Sequence, residues 1–246
     1  MKAHSTAVVD PAAEVAPDVE IGPYCIVGPG VRIGAGSRLV ARVIVHGPAT
    51  IGARNVLHPN VVVGSAPQSK DPPAPGGRIE IGDDNVFREA VTVNLPASRG
   101  GTTRIGSRNR FYASANVGHD CAVGDDVVLG SFAGLGGSNV VGDRAWIESS
   151  GGAGEGVTVG RGGWIQSHCC AVADVPPFMG MGGDAGELRG VNPLFRSPAL
   201  ERAFEAVWAS GLPRAEALRR LEKESSPEVA ELLAFLRRPA REAVDE

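Results

Sequence analysis

Proton transfer near neutral pH is the chemistry that the histidines of this sequence could supply. The five histidines are His4, His46, His58, His119 and His168. His119 is directly followed by Asp120, so a general base and a carboxylate that could orient it stand side by side. Each of these residues could equally be a solvated surface side chain. The elements that position them must therefore decide between the two interpretations.

Composition excludes several other kinds of chemistry. The four cysteines, at positions 25, 121, 169 and 170, show no metal-ligand spacing. We expect free thiols in a reducing cytoplasm, and neither a metal nor a cofactor. The net charge of −4 gives no indication of nucleic acid binding. The N-terminal residues do not resemble a secretory signal, and no stretch approaches the roughly 18 apolar residues of a transmembrane segment.

Apolar residues recur at every sixth position over most of the chain. From residue 9 to residue 171 this series has 28 positions, of which 25 are apolar and three fall in two gaps. The apolar positions are Val9, Val15, Ile21, Val27, Ile33, Leu39, Val45, Ile51, Leu57, Val63, Ile81, Phe87, Val93, Ile105, Phe111, Val117, Val123, Leu129, Leu135, Val141, Ile147, Ala153, Val159, Ile165 and Ala171. A period of six fits one short strand and one turn, with the apolar residue facing inward.

The six-residue repeat predicts a mainly β fold, a parallel β-helix with three flat faces over residues 9–176. Three repeats make one coil, and roughly nine coils would stack at about 4.8 Å each. Glycine often follows the apolar residue, which we attribute to backbone angles that a Cβ would obstruct. The segments 66–78 and 95–103 leave the repeat, but the repeat resumes in the same phase after each of them. We therefore expect two loops on an intact prism, where a cleft can form.

The repeat ends near residue 176, and helical patterns follow. We assign residues 1–178 to the β-helix, and residues 179–246 to a Gly-rich linker and a C-terminal α-helical domain. Apolar residues at helical spacing predict helices at about 198–209, 213–224 and 226–238. Such a domain would cap the open end of the prism, where strands would otherwise be exposed.

Hexads of this kind resemble those of the hexapeptide-repeat acyltransferases, and the resemblance implies a left-handed helix. The segment 115–121 (ANVGHDC) is similar to the catalytic stretch of the acyl-carrier-protein-dependent UDP-N-acetylglucosamine 3-O-acyltransferases, which make the first lipid A precursor. Further similar segments lie in register at 21–29, 62–68, 81–93, 173–178 and 190–193. The match covers nearly the whole chain.

This resemblance implies roles for individual residues. It implies that His119 is the general base, that Asp120 orients it, and that the backbone N–H of Gly137 stabilises the oxyanion. The substrate-binding positions that it implies are Gln68, Asn94, Asn116, Ser138, Glu155, Asn192 and Arg196. Gln166 and Ser167 would line the groove for the acyl chain. The partners that it implies are acyl carrier protein, a UDP-sugar substrate and two further copies of the chain in a homotrimer.

The sequence departs from the family where the sugar nucleotide would bind. Asn94, Asn116 and Ser138 stand where the family commonly has histidine, and Gly154-Glu155 replaces a His-Gln pair. Only Arg196 remains of an arginine stretch that holds the nucleotide phosphates. These differences leave open an acceptor other than UDP-N-acetylglucosamine. Glu155 would suit an amino-sugar nucleotide, since it could pair with an ammonium group.

Three other functions compete with the acyltransferase interpretation. The first is a related N-acyltransferase, which carries an extra N-terminal domain for which residues 1–8 leave no room. The second is a catalytically inactive or structural trimer. The third, a zinc-dependent carbonic anhydrase, needs three histidines on neighbouring coils, and His46, His58 and His119 lack that spacing. An acidic carrier protein would also need a basic patch. The candidates for that patch are Arg104, Arg108, Arg110, Arg144 and Arg161.

Overall fold

The computed structural model describes residues 1–70, 75–183 and 186–239. The strands of the described part are β1 (Lys2–Ala3), β2 (Val8–Val9), β3 (Glu14–Val15), β4 (Glu20–Ile21), β5 (Ile26–Val27), β6 (Val31–Ile33), β7 (Arg38–Leu39), β8 (Ile44–Val45), β9 (Ala49–Ile51), β10 (Val56–Leu57), β11 (Val62–Ser65), β12 (Arg78–Ile81), β13 (Val86–Phe87), β14 (Thr92–Asn94), β15 (Thr102–Ile105), β16 (Arg110–Phe111), β17 (Asn116–Val117), β18 (Ala122–Val123), β19 (Val128–Leu129), β20 (Gly134–Leu135), β21 (Val140–Val141), β22 (Trp146–Ile147), β23 (Gly152–Ala153), β24 (Thr158–Val159), β25 (Trp164–Ile165), β26 (Cys170–Ala171), β27 (Met179–Gly182) and β28 (Glu187–Val191).

The strands form three parallel sheets, which are the three faces of a prism. The first face has the order β1-β4-β7-β10-β13-β16-β19-β22-β25-β27-β28, the second β2-β5-β8-β11-β14-β17-β20-β23-β26, and the third β3-β6-β9-β12-β15-β18-β21-β24. Successive strands of one face are therefore one coil apart. The nine strands of the second face match the expected number of coils. We name the edges after the faces they join: the first edge joins the first and second faces, the second edge the second and third, and the third edge the third and first.

The apolar series forms the core of the prism. From Ile21 to Ala171 every apolar position of the series is buried, whereas Val9 and Val15 in the first coil are partly exposed. Phe87 and Phe111 stack on neighbouring coils with their ring centroids 4.9 Å apart. The six-residue pattern thus predicts the inward side chains correctly.

The turns correct our explanation of the glycines. With the exception of Gly64, the glycines that follow the apolar positions do not have positive φ. They are required because coils approach closely: a Cβ on Gly22 would lie 2.8 Å from the carbonyl carbon of Val40 in the next coil. The left-handed conformation falls two residues later and is adopted mostly by residues other than glycine, such as Tyr24 with φ 58°.

The two loops pack against each other beside the second face. The amide of Gly100 donates to the carbonyl of Pro75 at 3.2 Å, and that of Arg78 to the carbonyl of Gly101 at 3.2 Å. On either side of both loops the strands pair in parallel, as β11 with β14 and β12 with β15, with one register shift after Val63. The described strands therefore continue the prism on both sides of these loops.

The C-terminal part begins with a hairpin where we expected a linker. β27 continues the first face beside β25, and β28 returns antiparallel to it. The helical elements that follow are a 3₁₀ turn (Pro193–Phe195), α1 (Pro198–Phe204), a π-helical turn (Glu205–Ala209), α2 (Arg214–Leu221) and α3 (Pro227–Leu236). Their apolar faces cluster around Phe178 and Met179 at the end of the prism. None of the helices in the described residues is long and apolar enough to cross a membrane.

Candidate active site

Three of the predicted site residues lie in one column on the second edge. His119, Gly137 and Glu155 each follow a strand of the second face by two residues, and those strands pair in register. The spacing of coils places neighbouring members of this column about 4.8 Å apart. A side chain in one coil therefore lies directly beside its equivalent in the next.

His119 is held by its neighbour Asp120. The residue is only 9% exposed, and its Nδ1 lies 3.0 Å from Oδ2 of Asp120. A carboxylate at this distance favours the tautomer in which Nδ1–H donates to Asp120, and Nε2 is then free to accept a proton. Asp120 can make this contact because it takes the left-handed conformation, with φ 56°. The pair therefore has the arrangement of a general base and its orienting carboxylate.

Asp120 also fixes the second loop beside the imidazole. Its carboxylate accepts hydrogen bonds from the amide of Ala97 at 2.8 Å and from the amide and hydroxyl of Ser98. Its own amide donates to Thr103 Oγ1 at 3.0 Å. Burial raises the pKa of the Asp120 carboxyl, but these hydrogen bonds and that from His119 outweigh burial and hold the pKa below its ordinary value. Asp120 is therefore ionised at neutral pH, where it can orient the imidazole of His119.

Gly137 lies flat against the imidazole of His119. A Cβ at this position would overlap the ring and lie 2.9 Å from Nδ1. The amide of Gly137 has no hydrogen-bond partner among the residues that the structure describes, whereas the adjacent Ser138 amide donates to the His119 carbonyl at 2.8 Å. A free N–H next to a general base can stabilise an oxyanion.

The neighbouring thiol is not a rival nucleophile. Burial raises the pKa of Cys121 to about 12, so its thiol stays protonated at neutral pH. Its Sγ lies 3.1 Å from the carbonyl oxygen of Gly136. Cys121 is therefore a core residue, and His119 is the group suited to proton transfer on this edge.

The two asparagines on the second face form a network with protein groups. Asn94 is buried and donates to the carbonyl of Ala66 at 2.8 Å, and its Oδ1 accepts from Asn116 at 3.1 Å. Asn116 also donates to Thr92 Oγ1 at 2.8 Å. They therefore tie the first loop to the coil of His119. The predicted Gln68 is exposed in that loop and has no hydrogen-bond partner among the described residues.

Glu155 is the charged member of the column. It is exposed, and its carboxylate makes no ion pair with any residue that the structure describes. Because Gly137 has no side chain, nothing from that position separates Glu155 from the His119 ring. The carboxylate is thus available to a ligand bound on this edge.

The other predicted contacts lie on other edges of the same chain. Asn192 is fully buried by the third edge, where it donates to the carbonyl of Gly162 at 2.8 Å and accepts from the amide of Leu194 at 3.0 Å. Our expectation that Asn192 contacts substrate is therefore not supported, because its amide caps the 3₁₀ turn. Arg196 is exposed and pairs with Glu201 at 2.8 Å.

Gln166 and Ser167 follow β25 on the first edge, beside a cavity of about 800 Å³ on the first face. Ser167 lines this cavity together with Val128, Trp146 and Phe195. Gln166 instead packs against Gly182 of the hairpin. Trp146 was not among the predicted residues, although Trp146 and Trp164 are 18 residues apart and so occupy equivalent positions on successive coils.

The expected basic patch is largely neutralised by neighbouring carboxylates. Arg104 pairs with Glu80 at 2.7 Å, Arg108 with Asp126 at 2.8 Å, and Arg161 with Glu231 at 2.6 Å. Arg144 stacks over the ring of Phe195 and Arg110 donates to the carbonyl of Asp84 at 3.2 Å. These arginines therefore do not form the free cationic surface for which they were candidates. Within the described ranges no group of three His, Cys, Asp or Glu residues could hold a metal ion.

Comparison with known proteins identifies a matching family and similar enzymes. Residues 4–35 match the family described as bacterial transferase hexapeptide (six repeats). The chain is 39% identical over 249 residues to the acyl-(acyl-carrier-protein)–UDP-N-acetylglucosamine O-acyltransferase of Syntrophobacter fumaroxidans, covering 96% of each chain. The solved UDP-N-acetylglucosamine O-acyltransferase of Moraxella catarrhalis has 32% identity and a TM-score of 0.88, over 95% of this chain and 96% of that one. The enzyme of Bacteroides fragilis has 27% identity and a TM-score of 0.89, over 95% and 96%. These neighbours confirm the left-handed parallel β-helix.

Proposed function

Because this chain belongs to the family of acyl-(acyl-carrier-protein)–UDP-N-acetylglucosamine O-acyltransferases and is an O-acyltransferase, we propose that it transfers a 3-hydroxyacyl group from acyl carrier protein to a UDP-amino sugar in lipid A biosynthesis. The observation that carries the mechanism is the second edge, where the imidazole of the His119–Asp120 pair lies against Gly137, whose amide has no hydrogen-bond partner among the described residues. An inactive structural trimer is not favoured, because that pair is complete.

The reaction follows from the positions of these groups. Nε2 of His119 takes the proton of the sugar hydroxyl while the hydroxyl oxygen attacks the thioester carbonyl. The carbonyl oxygen becomes an oxyanion, and the Gly137 N–H donates to it. The carbon–sulfur bond then breaks, and the leaving thiolate takes the proton from the imidazolium, so the base is regenerated. Asp120 stabilises the imidazolium between the two steps.

The acceptor would lie along the column that runs from His119 past Gly137 to Glu155. Ser138 and Glu155 stand beside Gly137, and exposed Gln68 projects from the first loop. Asn94 and Asn116 would act by holding that loop. We take UDP-N-acetylglucosamine as the first acceptor to test and an amino-sugar nucleotide as the second, since Glu155 would favour an ammonium group.

The site would be completed by a second copy of the chain in a homotrimer. Arg196 and Ser167 lie on different edges from His119, so a neighbouring copy would have to bring them to it. The outward side of the second face supports such packing, since it carries Val8 and Ile26, which are 62% and 42% exposed. Free thiols throughout the described residues agree with a cytoplasmic location.

The test is acyl transfer by the purified protein from 3-hydroxyacyl carrier protein to UDP-sugars, followed by mass spectrometry of the product. His119→Ala should lower the turnover by at least about 10²-fold, whereas the exposed control His4→Ala should not change it. Light scattering should give three times the 25.4 kDa chain mass. Failure of the wild-type protein with every acceptor would contradict the proposal, and so would full activity of the His119 variant.

A further inference from the structure

The carboxylate of Asp120 is held by a hydroxyl from the second loop as well as by the imidazole of His119. The Ser98 hydroxyl donates to Oδ1 of Asp120, whereas Nδ1 of His119 lies 3.0 Å from the other oxygen, Oδ2. Among the described residues, His119 and Ser98 are the two whose side chains hydrogen-bond to this carboxylate. Ser98 is therefore connected to the proposed general base through Asp120.

The backbone hydrogen bonds to Asp120 leave the plane of its carboxylate poorly fixed. The amide of Ala97 donates to Oδ2 at 2.8 Å, which is the oxygen that the imidazole also uses. The amide of Ser98 lies 3.4 Å from Oδ1 and 3.3 Å from Oδ2, so it holds neither oxygen closely. A carboxylate turns easily about its last bond, because that torsion has broad minima. The Ser98 hydroxyl is therefore the contact that holds Oδ1 and, with it, the carboxylate plane.

The chain around Ser98 forms a tight turn that presents this hydroxyl. The amide of Gly101 donates to the carbonyl of Ser98 at 3.1 Å, and Gly100 between them has a positive φ of 62°. That conformation favours glycine at the third position of a turn. A Cβ on Gly101 would overlap the Ser98 hydroxyl and lie 2.7 Å from Oδ1 of Asp120. Both glycines are therefore needed for the hydroxyl to reach the carboxylate.

The charge of Asp120 depends on the same hydroxyl. Burial raises the pKa of the Asp120 carboxyl, and the hydrogen bond from Ser98 opposes burial more than the hydrogen bonds from His119 and the amides do. Ser98 itself is exposed, so its hydroxyl can be removed without leaving a cavity in the core.

We propose that Ser98 is a positioning residue, whose hydroxyl fixes the plane of the Asp120 carboxylate so that Oδ2 stays aligned with Nδ1 of His119. This role rests on the proposed function, because the alignment affects a rate only if His119 takes the proton of the acceptor hydroxyl. Ser98 keeps its own proton throughout: it donates to Oδ1, Asp120 stays ionised, and the imidazole alone carries the transferred proton. The effect of Ser98 passes through Asp120 to the orientation and tautomer of the imidazole.

Removal of the hydroxyl should slow the reaction without weakening the binding of either substrate. Ser98→Ala leaves both backbone amides in place, but the carboxylate turns more freely and the imidazole spends less time in the productive tautomer. We expect kcat to fall by about tenfold, which is the worth of one hydrogen bond to a charged group. The KM values for donor and acceptor should not change. Gly101→Ala should lower kcat similarly, because its methyl group displaces the same hydroxyl.

The first experiment measures kcat and KM for both substrates in the wild type, Ser98→Ala, Ser98→Thr and Gly101→Ala. Ser98→Thr keeps the hydroxyl, so its kcat should stay within about threefold of the wild-type value. Ser107→Ala is the matched control, because it removes a serine hydroxyl that accepts from the Asp83 amide on the third edge, and its kinetics should not change. Wild-type kcat in both Ser98→Ala and Gly101→Ala would overturn the inference, as would a raised KM at unchanged kcat in Ser98→Ala.

A double variant tests whether the effect of Ser98 passes through Asp120. Once Asp120→Asn has removed the charged carboxylate, the hydroxyl has no aligned carboxylate left to maintain. The variant Ser98→Ala/Asp120→Asn should therefore have the same kcat as Asp120→Asn alone. Two losses that multiply would show that Ser98 acts independently of Asp120, and they would overturn the inference.

A spectrum of the histidine ring nitrogens separates this role from the proposed function. In protein labelled with ¹⁵N-histidine, the His119 ring is assigned by its absence from His119→Ala and should carry its hydrogen on Nδ1 in the wild type. Ser98→Ala should move part of the population to the tautomer with hydrogen on Nε2, and Ser98→Thr should not. If no substrate is turned over but this change appears, the proposed reaction fails and the positioning role stands. If the reaction proceeds and Ser98→Ala leaves the ring spectrum unchanged, the positioning role is wrong.

Discussion

Replacing Gly137 by alanine would place a methyl group against the imidazole of His119. The new Cβ would lie 2.9 Å from Nδ1 and closer still to Cε1 and Nε2. Since non-bonded carbon contacts are optimal at about 3.5–4.0 Å, the ring would have to retreat by about 1 Å. The backbone N–H of residue 137 would remain, so any loss of rate would come from the displaced base.

A displacement of about 1 Å in a catalytic group costs on the order of 10²-fold in rate. We therefore expect kcat for transfer to UDP-N-acetylglucosamine to fall by about this factor, and the Tm to fall only slightly because the nearest atoms to the new methyl group belong to the His119 side chain and not to the backbone. Gly134→Ala is the matched control, since no heavy atom lies within 4 Å of a Cβ at that position. A kcat for Gly137→Ala within about threefold of the wild-type value would refute the assignment of this edge.

Three further predictions concern the site and its supports. Asp120→Asn should lower kcat by about 10²-fold and loosen the second loop. The pKa of Asp120 is lowered in the folded protein, so the stability that its carboxylate contributes is complete above the unfolded pKa of about 3.9 and is lost as pH falls through the folded pKa. The Tm difference between the variant and the wild type should therefore shrink in acid. Arg161→Ala should lower the free energy of unfolding, measured in urea, by about 1 kcal/mol, because it removes the partly exposed ion pair with Glu231. The double variant Arg161→Ala/Glu231→Gln should lose no more than the single variant, and an additive loss would contradict the pair. Phe111→Ala should cost about 3–5 kcal/mol in the same assay, because the ring is fully buried against Phe87, and a loss below about 1 kcal/mol would contradict that packing.

The buried residues of this fold can be predicted from the sequence because every coil repeats the same six-residue pattern. An inward residue at Leu129 or Ile147 is surrounded by its own equivalents, so burial at one position implies burial at the next. The loops are equally readable, since only their residues break the period. The glycines show the limit of this argument, because spacing alone did not distinguish a need for positive φ from the close approach of Gly22 to Val40.

The candidate site was less predictable, because it depends on side chains that leave the repeat. The sequence suggested Asp120 as an orienting group, but its hydrogen bonds to Ala97 and Ser98 depend on how the loop returns to the prism. Asn192 was predicted as a substrate contact, whereas in this chain it is buried and caps a turn; the residue type is the same in both roles. Trp164 carries no motif, and its contact with Gly180 is visible only once the hairpin has been placed.

The two ends of the prism differ in how strongly they resist opening. In a linear stack of coils the stability is approximately a sum of terms between neighbours, so a terminal coil with one neighbour frays first. The first coil is such an end, since both residues of β1 are exposed and Val9 is only partly covered. The opposite end is closed by the hairpin and the helices. Amide hydrogen exchange should therefore slow progressively from the N-terminus inward. The coil of His119 lies well inside that gradient, so the first coils can unfold locally without disturbing the proposed catalytic edge.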